Sequence, residues 1–163
     1  MNRHPPPTVA QGGHRYPCRV YYEDTDAAGV VYHANYLRLA ERARTEALRS
    51  LDIPHAEMTR LHGVIFMVRR AKLDYLAPAR LDESLIVLTR ALVIGAASAA
   101  LEQSFRREAD PARLLAVVEI HLACVRLADL RPARIPPRWR ATLAALAETG
   151  TGPMGAHAGT TLS

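Results

Sequence analysis

The residues best suited to do chemistry are gathered in one short stretch, Tyr22-Glu23-Asp24-Thr25-Asp26-Ala27-Ala28-Gly29-Val30-Val31-Tyr32-His33-Ala34-Asn35-Tyr36. Three carboxylates, a histidine and several tyrosines stand there, at the entry to a segment with helical periodicity. Acids in that place have an ordinary structural use, because they complement the positive end of a helix dipole and cap its first N–H groups. More specific chemistries can be tested on Asp24-x-Asp26. A calcium loop starting at Asp24 requires an oxygen ligand at its fifth position and a glutamate at its twelfth, where the chain has Ala28 and Asn35. An aspartate-based phosphoryl-transfer motif requires Thr or Val at Ala28 and an alternating α/β chain behind it, whereas the second half of this sequence reads as strands. The sequence contains no Gly-rich phosphate loop, no His-Glu-x-x-His zinc motif and no Gly-x-Ser-x-Gly elbow. Elsewhere, His121 shares a strand face with Glu119, an arrangement that could form an acid–base pair and equally suits the open face of a half-buried strand. His55, His62 and His157 have no partner at a usable spacing.

The elements that must position this stretch follow from periodicity. Tyr16 to Tyr22 reads as a first strand, broken by the acids, small residues and glycine of Glu23 to Gly29. Asn35 to Ser50 has the helical period: Tyr36, Ala40, Ala43, Ala47 and Leu51 make an apolar stripe, widened by Leu37 and Leu48. The polar face carries Glu41 and Arg44, and Glu46 and Arg49, both spaced for i,i+3 ion pairs, and Pro54 stops the helix beyond Leu51. The period then changes to two. Ile65, Met67, Ala71, Leu73 and Tyr75 share one strand face, with Arg70, Lys72 and Asp74 on the other, and Ala77-Pro78-Ala79 ends the run. Leu85 to Ile94 is apolar on both faces, with Leu85, Val87, Ala91 and Val93 together on one. Ala99, Leu101, Gln103 and Phe105 mark the next strand, Asp110-Pro111 a hairpin turn, and Leu114 to Cys124 a long last strand. Connections this short favour antiparallel pairing. The expectation is an α+β architecture, one long central helix on a curved antiparallel sheet of about five strands. After Pro136-Pro137, the stripe Trp139, Leu143 and Leu146 predicts a short docked helix.

At 163 residues, 49% hydrophobic and 23% charged, the chain has the length and composition of one folded domain, which excludes a wholly disordered chain. A formal charge of +5 favours an anionic partner without choosing among phosphorylated small molecules, nucleic acid and acidic surfaces. No apolar run reaches the ~18 residues of a membrane span. Pro5, Pro6 and Pro7 stand where a signal peptide would be apolar, so a cytoplasmic location is expected. Cys18 and Cys124 are read as buried reduced thiols.

From Arg19 through Asp26, again over Gly29-Val30-Val31-Tyr32-His33-Ala34-Asn35-Tyr36-Leu37 and Glu41-Arg42-Ala43-Arg44-Thr45-Glu46, and in Tyr75-Leu76-Ala77-Pro78-Ala79-Arg80-Leu81-Asp82, the chain resembles the hotdog-fold acyl-CoA thioesterases of the 4-hydroxybenzoyl-CoA thioesterase type. It looks most like the bacterial branch associated with the Tol-Pal envelope system, over roughly Tyr16 to Pro137. The resemblance implies hydrolysis of a short-chain aliphatic or aromatic acyl-CoA, with no metal and no organic cofactor. It implies Asp26 as the catalytic carboxylate, acting as nucleophile or as general base for water. It also implies an oxyanion donor in the backbone N–H of His33, with its side chain as a second candidate, and Tyr22 near the site. A related branch that carries its acid on the long helix nominates Glu41 or Glu46. Arg131, Arg134 and Ser98 match phosphate-contacting and polar positions for coenzyme A, although Gly95-Ala96-Ala97 lacks the base that relatives often carry before that turn. The family's usual assembly implies a homodimer or homotetramer formed edge to edge. The rival readings are a non-hydrolytic acyl-CoA or acyl-carrier-protein binding module and a nucleic-acid binder. The second lacks an aromatic stacking platform, so no nucleic-acid partner is expected.

The proline- and glycine-rich ends, residues 1–14 and 149–163, are expected to be tails on a single domain of residues 15–148. Deleting the chain from Gly150 onward is therefore expected to leave the thermal unfolding midpoint nearly unchanged. A loss of many degrees in that scan places part of the core beyond residue 149.

Overall fold

The computed structural model describes residues 13–147; His14, expected to close the N-terminal tail, instead opens β1, paired with Thr89 and 2% exposed, and the rest of the expected tails, residues 1–12 and 149–163, lies outside the described residues. In chain order the elements are β1 (His14–Arg19), a 3₁₀ turn (Tyr22–Asp24), α1 (Asn35–Ser50), α2 (His55–His62), β2 (Val64–Tyr75), β3 (Ser84–Ile94), β4 (Ser98–Arg107), β5 (Asp110–Arg126) and α3 (Pro137–Ala145). The strands form one antiparallel sheet in the order β1-β3-β4-β5-β2, with α1 packed on one face. This is the α+β arrangement expected from the sequence. No helix among the described residues is long and apolar enough to cross a membrane.

The buried stripe of α1 is Tyr36, Leu39, Ala40, Ala43, Ala47 and Leu48, while Leu37 faces outward. Three alanines in that stripe keep the helix surface thin, so its backbone lies close to the sheet. Contact is sealed by Gln103 in the middle of β4, a fully buried residue whose Nε2 donates to the Ala40 carbonyl at 2.8 Å and to Thr89 Oγ1 at 3.0 Å. Its Oε1 accepts from Arg44 Nη1 at 2.8 Å. Arg44 therefore turns inward instead of pairing with Glu41. A buried amide oxygen without a donor costs about 1–3 kcal/mol, more than an exposed helix ion pair returns. Glu46 and Arg49 do pair as their spacing predicts.

Two bulges overrule strict alternation. On β2, Val68 faces Leu122 and Arg70 faces His121, leaving Arg69 as an extra residue. Upstream of it Val64, Phe66 and Val68 share the helix side with Ala71, Leu73 and Tyr75, so Ile65 and Met67 lie on the other face, contrary to the period-two reading. On β3, Leu92 is extra between the Ala91–Leu101 and Val93–Ala100 pairs. The first half of β3 is buried on both faces, but Val93 beyond the bulge is 66% exposed. The β4–β5 turn comes earlier than Asp110-Pro111, because Asp110 already pairs with Arg107. The first strand likewise ends at Arg19, before the 3₁₀ turn.

α2 has no counterpart in the sequence reading. Its eight residues are too short for a diagnostic stripe, and Gly63 ends it in a left-handed conformation (φ +63°), its N–H donating to Thr59 O at 2.8 Å. α3 docks as the Trp139 stripe predicts: Trp139, Leu143 and Leu146 are buried, and Trp139 Nε1 donates to Ile53 O at 3.1 Å.

Gln103→Leu is expected to destabilise the fold by about 2–3 kcal/mol in denaturant unfolding, because it strips Arg44, Thr89 and the Ala40 carbonyl of their partner at once. A loss under about 0.5 kcal/mol shows the amide network to be idle.

Candidate active site

The acidic loop folds into a small hairpin whose geometry separates its two aspartates. Asp24 is only 7% exposed. Its Oδ2 accepts the Tyr21 N–H at 2.9 Å, and its carbonyl accepts the Tyr32 N–H at 2.9 Å and Asn35 Nδ2 at 3.0 Å. With both ends of the loop tied to it, Asp24 is a structural residue. Asp26 sits at the hairpin tip and is exposed. Its N–H donates to Val30 O, and its carbonyl accepts the Gly29 N–H, each at 3.0 Å, with Gly29 at φ +73° closing a turn that side-chain-bearing residues enter with strain. The Ala28 N–H donates to Asp26 Oδ1 at 2.8 Å. That bond orients the carboxylate, and among the described residues its Oδ2 accepts no hydrogen bond.

The hairpin leans on the segment that leaves β2. Val31 N–H donates to Ala79 O at 2.8 Å and Leu81 N–H to Gly29 O at 3.2 Å. Beyond it, His33 lies exposed two residues ahead of α1. Its carbonyl accepts the Tyr75 hydroxyl at 3.0 Å, and its ring lies 4.3 Å from that of Tyr32. Tyr36 stacks edge-on with Tyr75 at 5.6 Å and with Phe105 at 5.2 Å, which anchors the start of α1 at this end of the sheet. The backbone N–H of His33 makes none of the hydrogen bonds found among the described residues. Periodicity marks Tyr75 only as a strand residue and Asn35 only as a helix residue. Their roles in holding His33 and Asp24 become visible once the two segments meet.

Tyr22, named beside Asp26 and His33, is 84% exposed, so it is not a core aromatic in this chain. Ser98, Arg131 and Arg134 lie at the far end of the sheet. Ser98 faces Ala123 while Phe105, next to Tyr36, faces Ala116, a separation of seven residues along β5 or about 23 Å. Arg131 belongs to the turn after β5, its N–H donating to Asp129 Oδ1 at 3.1 Å. Arg134 and Ser98 line different depressions. Asp26 and His33 stand on one loop, and the three expected coenzyme A contacts lie at the other end of the sheet. His121 and Glu119 do meet, at 2.6 Å, but on the sheet face away from α1 and remote from Asp26. Glu41 and Glu46 lie along α1, past the loop. Burial pushes both thiols up, Cys18 to about 11, so neither is an available thiolate at neutral pH.

A mainly apolar cavity of about 440 Å³ lies between α1, α2, β2 and α3, walled by Leu48, Met58, Phe66, Leu122, Leu143 and Leu146. Arg44 and His55 stand on its lining, and burial, then the Arg44 charge, lower the His55 pKa.

The Thioesterase-like superfamily profile matches residues 20–145. The acyl-CoA thioesterase YbgC of Haemophilus influenzae is 39% identical over 133 residues, 82% of this chain and 96% of that protein. The acyl-CoA thioester hydrolase YbgC of Escherichia coli O157:H7 is 39% identical over 122 residues, covering 75% and 89%. A 1,4-dihydroxy-2-naphthoyl-CoA thioesterase from Synechocystis superposes with a TM-score of 0.74 at 26% identity, over 81% of this chain and 96% of its own. A protein of Thermus thermophilus superposes with a TM-score of 0.72 at 30% identity, over 81% and 98%. With a match that runs from the end of β1 through α3 and relatives aligned over nearly their whole length, the chain belongs to the thioesterase-like superfamily.

Proposed function

We propose that the chain hydrolyses acyl-CoA thioesters at the hairpin tip, with Asp26 as the reacting carboxylate and the entry to α1 as the oxyanion site. The observation that carries this reading is the oriented carboxylate of Asp26 on the same short loop as the N–H of His33, with Asp26 Oδ2 and that N–H both unpaired among the described residues. Attack on a thioester carbonyl drives negative charge onto its oxygen, and an unpaired N–H at a helix entry is a donor that needs no reorganisation to meet it. Asp26 either attacks the carbon, expelling the coenzyme A thiolate and leaving a mixed anhydride for water to cleave, or draws the proton from an attacking water. The YbgC relatives, named for acyl-CoA thioester hydrolysis, support the substrate class.

The 440 Å³ cavity suits a short aliphatic or an aromatic acyl group. Its distance from Asp26 within one chain argues for a homodimer. β2 is an edge strand of twelve residues with one side of its ladder unpaired among the described residues. A two-fold pairing of β2 with its copy sets the Tyr75 end of one protomer, where His33 and Asp26 lie, beside the Val64 end of the other, where the cavity opens. Two free thiols, Cys18 and Cys124, fit the reducing cytoplasm.

Asp26→Asn is expected to slow single-turnover hydrolysis of an acyl-CoA by on the order of 10²- to 10⁴-fold, the scale of a positioned acid–base group, with the fold retained. Asp24→Asn is expected to cost far less rate and to show its effect in unfolding. Near wild-type turnover by the Asp26 variant removes it from the chemistry. For His33→Ala a loss on the order of 10²-fold is expected. A preserved rate restricts His33 to its backbone N–H.

A further inference from the structure

The bulge on β2 has a chemical result. In a regular strand Arg69 and Arg70 point to opposite faces. Because Arg69 is the extra residue between the Val68–Leu122 and Arg70–His121 pairs, both arginines line one open depression of about 560 Å³. Ser98, at the start of β4, and His121 line it too. The ion pairs formed by arginine among the described residues use Arg49, Arg90, Arg107, Arg126 and Arg138. Arg69 and Arg70 are in none of them. Carboxylates nearby on the same sheet face are already engaged: Glu119 by His121, Glu102 by Arg90 and Asp74 by Lys72. Two adjacent, unneutralised guanidinium groups on an edge strand repel each other unless an anion lies between them.

We propose that this depression binds the phosphates of coenzyme A, with Arg69 and Arg70 as the charged donors and the Ser98 hydroxyl as a third. The proposal rests on the acyl-CoA reading given above. Guanidinium forks match phosphate oxygens two at a time, which a single lysine cannot do. The position also fits the ligand's shape: its phosphates sit a whole pantetheine arm from the thioester, and Arg70 lies five residues along β2 from Tyr75, about 17 Å at the strand rise. Arg131 and Arg134 do not line this depression, and the Gly95-Ala96-Ala97 turn beside it offers no base of its own. β2 thus supplies the positive charge that the β3–β4 turn lacks.

The test compares the wild type with Arg69→Gln, Arg70→Gln and the double variant, both residues being exposed in the single chain. Two readouts are used: calorimetric binding of coenzyme A itself, and the ratio of kcat/KM for an acyl-CoA to that for the matching acyl-pantetheine, which has no phosphate. Each single variant is expected to weaken coenzyme A binding about tenfold and the double variant about 100-fold, with the kcat/KM ratio falling in parallel. Unchanged coenzyme A affinity in the double variant, or equal losses on both substrates, overturns the site. If the wild type turns over no acyl-CoA, the hydrolase reading fails by itself and the calorimetry still decides: affinity that the wild type has and the double variant lacks upholds the depression, and a wild type that binds no coenzyme A overturns it.

Discussion

Everything in this molecule depends on how closely α1 can lie against the sheet, and Gln103 sets that distance. A helix with alanine at three buried positions brings its own carbonyls near the strands, where an apolar side chain would leave them unpaired. Gln103 answers with a donor to Ala40 and Thr89 and an acceptor for Arg44, so helix, β3 and β4 share one amide. Such a buried network is worth having only if every member is satisfied, and here each atom of the amide that needs a partner finds one.

A helix held in this way becomes a fixed reference for the loop that precedes it. Tyr36, wedged between Phe105 and Tyr75, locks the first turn of α1, and Tyr75 then reaches back to the His33 carbonyl. Asp24 ties the other end of the loop to Tyr21, Tyr32 and Asn35. Between those two anchors the tip carrying Asp26 needs only an Asx turn and one left-handed glycine to present a carboxylate to solvent. Of the two aspartates, Asp24 is thus the buried anchor of the loop and Asp26 the one it exposes.

The two ends of the sheet are specialised differently. One end carries the hairpin and the start of α1. The opposite end carries the apolar cavity closed by α2 and α3 and the arginine-lined depression at the bulge. Among the described residues β2 runs between them as an unpaired edge, and an edge of that length is stable in water only if it is charged, interrupted or covered. Its bulge and its run of Arg69, Arg70 and Lys72 supply the first two, and a second protomer supplies the third in the dimer proposed above.

Much of this was legible in the residues themselves. The order of strand, long helix and four strands follows from local hydrophobic period, which each segment carries within its own dozen residues. The same holds for the docked Trp139 stripe and for the acidic loop as a cluster of ionisable side chains at the entry to the long helix. What periodicity could not show is where a strand takes an extra residue, because a bulge is defined by the partner strand: Arg69 and Leu92 each shift the faces of β2 and β3, exposing Met67 and Val93 and turning Phe66 inward. Nor could spacing decide that Arg44 prefers Gln103, fifty-nine residues away, to Glu41 on the same helix. The two aspartates of Asp24-x-Asp26 are chemically alike as a string of letters. Only the folded loop makes them different: each carboxylate accepts one N–H, but Asp24 is buried with its carbonyl holding Tyr32 and Asn35 while Asp26 is exposed at the tip, because burial is a property of neighbours in space.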